Sequence, residues 1–262
     1  MRNLRLIPRL DVKQNWLIKG VQMEGWRKVG DPAEAARRYA AQGADELVFM
    51  DVVASLYERN NLHDIVEQVA SSVFIPLTVG GGVRSPEDVG ELLARGADKV
   101  ALNTAATREP KLITKISDQF GSQATVVAIE AIRNGVGQWQ AMTDNGRNQT
   151  GRDAVEWARE AEACGAGELL VTSIDRDGLG KGYEIDLIRQ ITDVVMIPVV
   201  ASGGLGSAAH LTELLKQTEA SAAVVAQALH WDKLTIGDLR VVLAETGCFV
   251  RPLPEKEAEA PP

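Results

Sequence analysis

Apolar residues along the chain follow two periods in turn. Short runs of Val, Ile, Leu and Ala, bounded by Gly, Pro or Asp, have the length and composition of strands buried on both faces. Between them lie stretches with apolar residues three and four apart, as in a helix with one buried stripe. The pattern predicts strands at 5–10, 47–50, 77–79, 100–102, 125–129, 169–172, 199–201 and 222–225, and helices at 33–42, 62–72, 86–95, 110–120, 153–164, 185–191, 207–216 and 237–245. Pro32, Pro86 and Pro110 fall in first turns of helices, where a missing N–H costs nothing. Strand–helix alternation from end to end predicts a parallel sheet with helical crossovers, and eight such units close into a (β/α)8 barrel, one domain over residues 1–250. Residues 251–262, RPLPEKEAEAPP, lack an apolar period and are expected to form a disordered acidic tail.

The pattern also repeats. IPLTVGGGVR at 75–84 returns 122 positions later as IPVVASGGLG at 197–206, and GADEL at 43–47 returns at the same offset as GAGEL at 165–169. LIPRLDV around Asp11 and VVAIEAI around Glu130 are two apolar strands that each end on a carboxylate. Two homologous halves of about 120 residues are therefore expected, each a half-barrel. In both glycine stretches a strand runs into a tight turn and then a helix opener, so bare N–H groups at a helix N-terminus can cradle a phosphate.

Composition narrows the classes. With a formal charge of −8 and a pI near 5.1, a general nucleic-acid or acidic-membrane surface is not expected. The N-terminus lacks a secretory core and no run reaches the length of a membrane span, which points to a cytoplasmic protein. Cys164, Cys248, His63, His210 and His230 are scattered without metal-ligand spacing, so neither a metal nor a cofactor is expected.

In such a barrel the chemistry sits where strands end. Asp11 and Glu130 close the first and fifth strands, which lie opposite one another, and two carboxylates in unlike surroundings can divide acid and base work. The glycine clusters follow strands three and seven, also opposed, flanked by Asn103-Thr104 and Ala226-Gln227, so the mouth fits a substrate with a phosphate at each end. The segments 12–30 and 131–152 read as long loops over the mouth, lids in function, with Lys19 able to reach inward. At the opposite face Arg5, Glu46, Lys99 and Glu168 begin strands one, two, four and six. Apolar closure is usual there, and two charges of each sign pair into a ring or gate.

IPRLDVK (7–13), GADELVF (43–49), TVGGG (78–82), GADKVALNTAA (96–106), VVAI (126–129), GAGELL (165–170), TSIDRDG (172–178) and ASGG (201–204) together closely resemble the cyclase subunit of imidazole glycerol phosphate synthase, over nearly all of residues 5–251. The resemblance implies a histidine-pathway enzyme. It takes ammonia from a partner glutaminase and a formimino-ribulosyl bisphosphate, and yields imidazole glycerol phosphate and an aminoimidazole carboxamide ribotide. It implies Asp11 as general acid/base, Lys19 as the mobile-loop lysine, Gly82, Asn103 and Thr104 at one phosphate, and Asp177, Gly178 and Gly204 at the other. Arg5, Glu46, Lys99 and Glu168 would form the ammonia gate. The chain departs from the family where Glu130 replaces an aspartate and where Ala226-Gln227 replaces an Ala-Ser turn. Such departures also fit a paralogue that carries ammonia to another acceptor, such as a sugar in surface polysaccharide synthesis. Trp16, Trp26 and Trp139 are expected to add aromatic surface. A bisphosphate sugar isomerase of the same pathway, and a non-catalytic activator of a glutaminase, are further alternatives.

Overall fold

The computed structural model describes residues 3–52 and 63–253. Its elements are β1 (Arg5–Lys13), β2 (Trp16–Val21), β3 (Glu24–Gly30), α1 (Pro32–Ala41), β4 (Leu47–Asp51), α2 (His63–Ala70), β5 (Leu77–Gly80), α3 (Pro86–Ala94), β6 (Lys99–Leu102), α4 (Thr104–Arg108), α5 (Lys111–Phe120), β7 (Thr125–Gly135), β8 (Gln138–Thr143), β9 (Asn148–Asp153), α6 (Ala154–Ala163), β10 (Glu168–Ser173), α7 (Ile185–Thr192), β11 (Val199–Ser202), α8 (Ala208–Gln217), β12 (Ala222–Val225), α9 (Gln227–His230) and α10 (Ile236–Glu245). Residue 62 of the second expected helix, and residues 254–262 of the expected tail, lie outside the described residues.

Eight strands pair in parallel in the order β1, β4, β5, β6, β7, β10, β11, β12, and β12 returns to β1, so the sheet closes into a barrel. Helices join the strands as expected, and their ends follow local chemistry. The Asp31 side chain caps α1 ahead of Pro32, Asp153 caps α6, and a Ser85–Asp88 capping box opens α3. Pro110 stands one place earlier than expected, as the residue preceding α5 rather than inside its first turn.

Strand periodicity divides the apolar core in two. Leu6, Leu10, Leu47, Phe49, Val127 and Ile129 point outward and pack with the helices. Their neighbours Ile7, Val48, Met50, Val126, Ala128 and Leu170 point inward, fill the barrel interior, and form a separate cluster.

The two segments read as loops are β-hairpins. After a turn at Gln14, β2 folds back antiparallel on β1 and β3 on β2; β8 and β9 do the same from β7. Their tips need left-handed backbone, at Gln22 and Met23 in the first and at Asp144, Asn145 and Gly146 in the second. Trp139 on β8 is fully buried rather than surface ornament: the hairpin folds it inward, and its ring carries the Arg133 guanidinium 4.8 Å away. Trp26 is half-buried and Trp16 exposed, with the Lys28 ammonium 3.1 Å from its ring centre.

Trp157 on α6 is buried in the outer core under Arg152. Trp157→Ala is expected to cost about 3–5 kcal/mol through the cavity it leaves, and to lower Tm by on the order of 10 °C. A thermal melt that does not move would contradict that packing.

Candidate active site at the mouth of the barrel

β1 and β7 lie four strands apart in either direction, so Asp11 and Glu130 rise from opposite walls. Both are buried. Asp11 Oδ1 accepts from Arg9 Nε at 2.7 Å, and Lys19 Nζ lies 3.5 Å from Oδ2. Lys19 also donates to both Asp177 oxygens, at 2.9 and 3.0 Å. Burial alone would push the Asp11 carboxyl up, but the Arg9 guanidinium and the Lys19 ammonium outweigh it and hold Asp11 below its ordinary range. Glu130 has weaker compensation: Oε2 accepts one hydrogen bond, from the Gly146 N–H at 2.8 Å. Burial therefore raises it to about 7, against the pull of Arg9 and that N–H. One carboxylate is held ionised while the other is poised to carry a proton near neutrality, an acid–base division made by environment.

Each side of the mouth has a cavity. The first is lined by Gly82, Asn103, Thr104, Arg108, Glu130 and Asn145, the second by Arg9, Lys19, Asp177, Gly178, Gly204 and Gln227, with Ala226 beside them. Each cavity receives the N-terminus of a one-turn helix, α4 or α9, with no side-chain cap. The preceding residues share one backbone conformation: Asn103 at φ −132°, ψ −86° and Ala226 at φ −133°, ψ −76°. Uncapped N–H groups aimed into a cavity suit an anionic oxygen. The glycine turns leave no room for side chains: a Cβ on Gly81 would stand 2.3 Å from the Asp51 carbonyl oxygen, and one on Gly203 2.7 Å from that of Ser173. The Asn145 Nδ2 is buried without a partner on the wall of the first cavity, an open donor. Asp177 differs from the other cradle residues. Its N–H is bound to the Ser173 and Ile174 carbonyls and its carboxylate to Lys19, so it acts on a ligand through Lys19.

The hairpins close over these cavities. Gln22 N donates to the Asp177 carbonyl at 2.9 Å, and Gly178 lies so near Gly20 that a Cβ there would meet the Gly20 oxygen at 2.6 Å. Met23 from one hairpin, Met142 from the other and Ile174 form a small apolar cluster between them. Asp144 receives Arg108, and its N–H reaches Thr104 Oγ1 at 3.0 Å, which ties the second hairpin to the first cavity.

At the floor the four charges form the expected ring. Glu46 accepts from Arg5 at 2.7 Å and from Lys99 at 3.0 Å, while Glu168 accepts from Lys99 at 2.9 Å and from Arg5. Closure of the barrel adds Arg9 and His230 to the expected site residues. Arg9 is buried inside the barrel; its only sequence signal is a charge within a strand whose parity turns it inward. His230 lies beside the second cavity, 2.8 Å from the Tyr39 hydroxyl, and is pushed down to about 4 by burial and by Lys19, so it is neutral at physiological pH. Among the described residues no cluster of His, Cys, Asp and Glu could hold a metal ion, and no helix is long and apolar enough to cross a membrane.

Comparison with known proteins places residues 5–235 under a family model described as histidine biosynthesis protein. A protein of Legionella pneumophila named imidazole glycerol phosphate synthase subunit HisF is 59% identical over 206 residues, covering 79% of this chain and 97% of that protein. One of the same name from Myxococcus xanthus (strain DK1622) is 50% identical over 253 residues, covering 97% and 100%.

Because the Glu130 pKa rises on folding from 4.5 to about 7, the unfolded chain loses that proton first as pH increases. Stability therefore falls between about pH 4.5 and 7, by roughly 3 kcal/mol, and stays reduced above that window. Glu130→Gln, which cannot ionise, is expected to be more stable than the parent by up to about that amount at pH 8 and equal to it near pH 4. Urea denaturation at the two pH values checks this, and an equal difference at both would contradict it.

Proposed function

The chain belongs to the histidine biosynthesis family and, within it, to the imidazole glycerol phosphate synthase HisF subunits, and from that premise we propose how its residues perform the cyclase reaction. The substrate is a formimino-ribulosyl bisphosphate, and the products are imidazole glycerol phosphate and an aminoimidazole carboxamide ribotide. Its two phosphates sit at the uncapped N-termini of α4 and α9, which stretches the reacting centre across the mouth between Asp11 and Glu130. That pair of matched helix ends, with two unlike carboxylates between them, is the observation that carries the reading. Ammonia adds to the substrate carbonyl. On addition one proton passes from the nitrogen to the carbonyl oxygen; Asp11, ionised, takes a second from the nitrogen and Glu130, protonated near neutrality, gives one to that oxygen, which leaves as water. The nitrogen then closes on the formimino carbon, the C–N bond from that carbon to the carboxamide ribotide breaks as Asp11 returns its proton to the leaving amine, and Glu130 regains a proton from the ring carbon as the imidazole forms. The extra methylene of Glu130 relative to aspartate is taken up at the turn of the second hairpin, where the Gly146 N–H holds its carboxylate. Lys19 is drawn from Asp177 toward the arriving phosphate, and the hairpins exclude water.

The protein is a lyase-type enzyme and a subunit of a complex. The partner we assign is a glutaminase, bound one to one at the floor, in the cytoplasm. The Arg5–Glu46–Lys99–Glu168 ring then gates ammonia into the barrel. Two apolar side chains support this docking face: Phe74 before β5 is 90% exposed and Met196 before β11 is 94% exposed, at positions 122 apart on the floor rim. An isomerase would leave the ring without work. A second reading, with ammonia carried to a larger sugar acceptor, draws on one observation. A groove lined by Val21, Arg27 and Trp231 adjoins the second cavity and shares Lys19 and Gln227 with it.

The purified chain, given ammonium salt and the formimino-ribulosyl bisphosphate, is expected to form both products. A folded chain that forms neither would move the assignment to the sugar acceptor. Asp11→Asn is expected to lower kcat by about 10²- to 10⁴-fold. Phe74→Glu with Met196→Glu is expected to weaken glutamine-driven turnover at least tenfold while ammonium-driven turnover persists, and equal rates with glutamine would remove the floor as the docking face.

A further inference from the structure

Holding Asp11 ionised accounts for only one end of the Arg9 guanidinium. Arg9 lies on β1 between the ring residue Arg5 and the carboxylate Asp11, roughly 13 Å up the strand from Arg5 at about 3.3 Å per residue. Its side chain does not stay on its own wall. Nε donates to Asp11 Oδ1 at 2.7 Å, while NH1 reaches Thr172 Oγ1 at 3.2 Å on β10, three strands away around the barrel. The guanidinium therefore bridges the interior. Below it lie the inward apolar residues Ile7, Val48, Val126 and Leu170, and below those the charged ring. Above it open the second cavity, which it lines with Lys19, and the two carboxylates.

An arginine so deeply buried is costly to desolvate, and it keeps its charge under all conditions. Fixing Asp11 could be done by a shorter group, since Lys19 already stands beside that carboxylate. What only a long planar cation anchored at both ends supplies is a bar across the passage. We propose that Arg9 is the upper closure of the ammonia route, a charged bar between the apolar lumen and the mouth that admits the neutral nucleophile and turns back ammonium, other cations and bulk water. The inference rests on the ammonia-channel reading above. A neutral molecule of ammonia's size needs only a small displacement of the guanidinium to pass. A cation meets a like charge in a medium of low polarity, where repulsion is strong. Water held out of the lumen cannot supply the proton that would end ammonia's nucleophilicity.

The test uses the complex of this chain with its glutaminase and measures product formed per glutamate released with glutamine as nitrogen source, beside the rate of product formation with ammonium chloride. The parent complex is expected to give about one product per glutamate. Arg9→Ala is expected to lower that ratio at least threefold, beyond any common fall in rate, and Arg9→Lys, which keeps the charge but not the planar group held at both Asp11 and Thr172, to lower it less. If Arg9→Ala does not fold, Arg9→Met, which keeps the length without the charge, carries the same expected loss. Equal falls in both assays with an unchanged ratio would make Arg9 a positioning residue for Asp11 alone and overturn the proposal. A parent complex that forms product from ammonium chloride but none from glutamine would overturn the channel reading, and this inference with it.

Discussion

A charge inside a barrel has to be paired there, and the inward face of β1 shows how much of this protein follows from that constraint. Arg5, Ile7, Arg9 and Asp11 alternate along one strand and face the interior. The first joins the floor ring, the second the apolar filling, the third bridges to β10, and the fourth holds the reacting end. Arg9 and Asp11 pair with one another along the strand, Lys19 joins Asp11 from the adjoining hairpin, and residues distant in sequence complete the set: Glu46 and Glu168 for Arg5, and the Thr172 hydroxyl for Arg9. Remove a partner and an unpaired charge is left in a medium that solvates it poorly, so the barrel's closure and its chemistry depend on the same contacts.

The division of labour at the mouth comes from unequal compensation. Asp11 and Glu130 occupy comparable places on opposite strands and are equally buried, yet two cations attend one and a single close N–H the other. Burial acts on both alike; the cations decide which stays ionised. The hairpins enforce this asymmetry. The first brings Lys19 to Asp11, and the second brings Gly146 to Glu130. They meet in the Met23–Met142–Ile174 contact, so closure of one depends on the other.

The local geometry recurs between the halves. Ser85 and Ser207 precede α3 and α8 with nearly the same extended backbone, φ −147°, ψ 164° and φ −150°, ψ 161°, and Asn103 and Ala226 match before the two short helices. Function nevertheless departs from symmetry. One cavity carries buried Lys19 and Arg9, while the other carries Asn145 and the exposed Arg108.

Strand and helix placement, the glycine turns, and the four charges of the floor were legible in the chain because each rests on short-range pattern: parity along a strand, a three-to-four spacing along a helix, or a steric need for glycine beside the Asp51 and Ser173 carbonyls. The hairpins are not evident in the chain although Asp144-Asn145-Gly146 carries a turn signal, because β3 and β9 are largely polar and the apolar residues of β2 and β8 are interrupted by Lys19, Gly20 and Gln140. The burial of Trp139 followed from that same folding-back. Parity also turns Arg9 inward, but that it reaches Thr172, or that Lys19 lands between Asp11 and Asp177, depends on which strands become neighbours once the sheet closes. Spacing along one strand determines the face a side chain takes. Its partner across the barrel is set by closure, which brings together residues more than 150 positions apart in sequence.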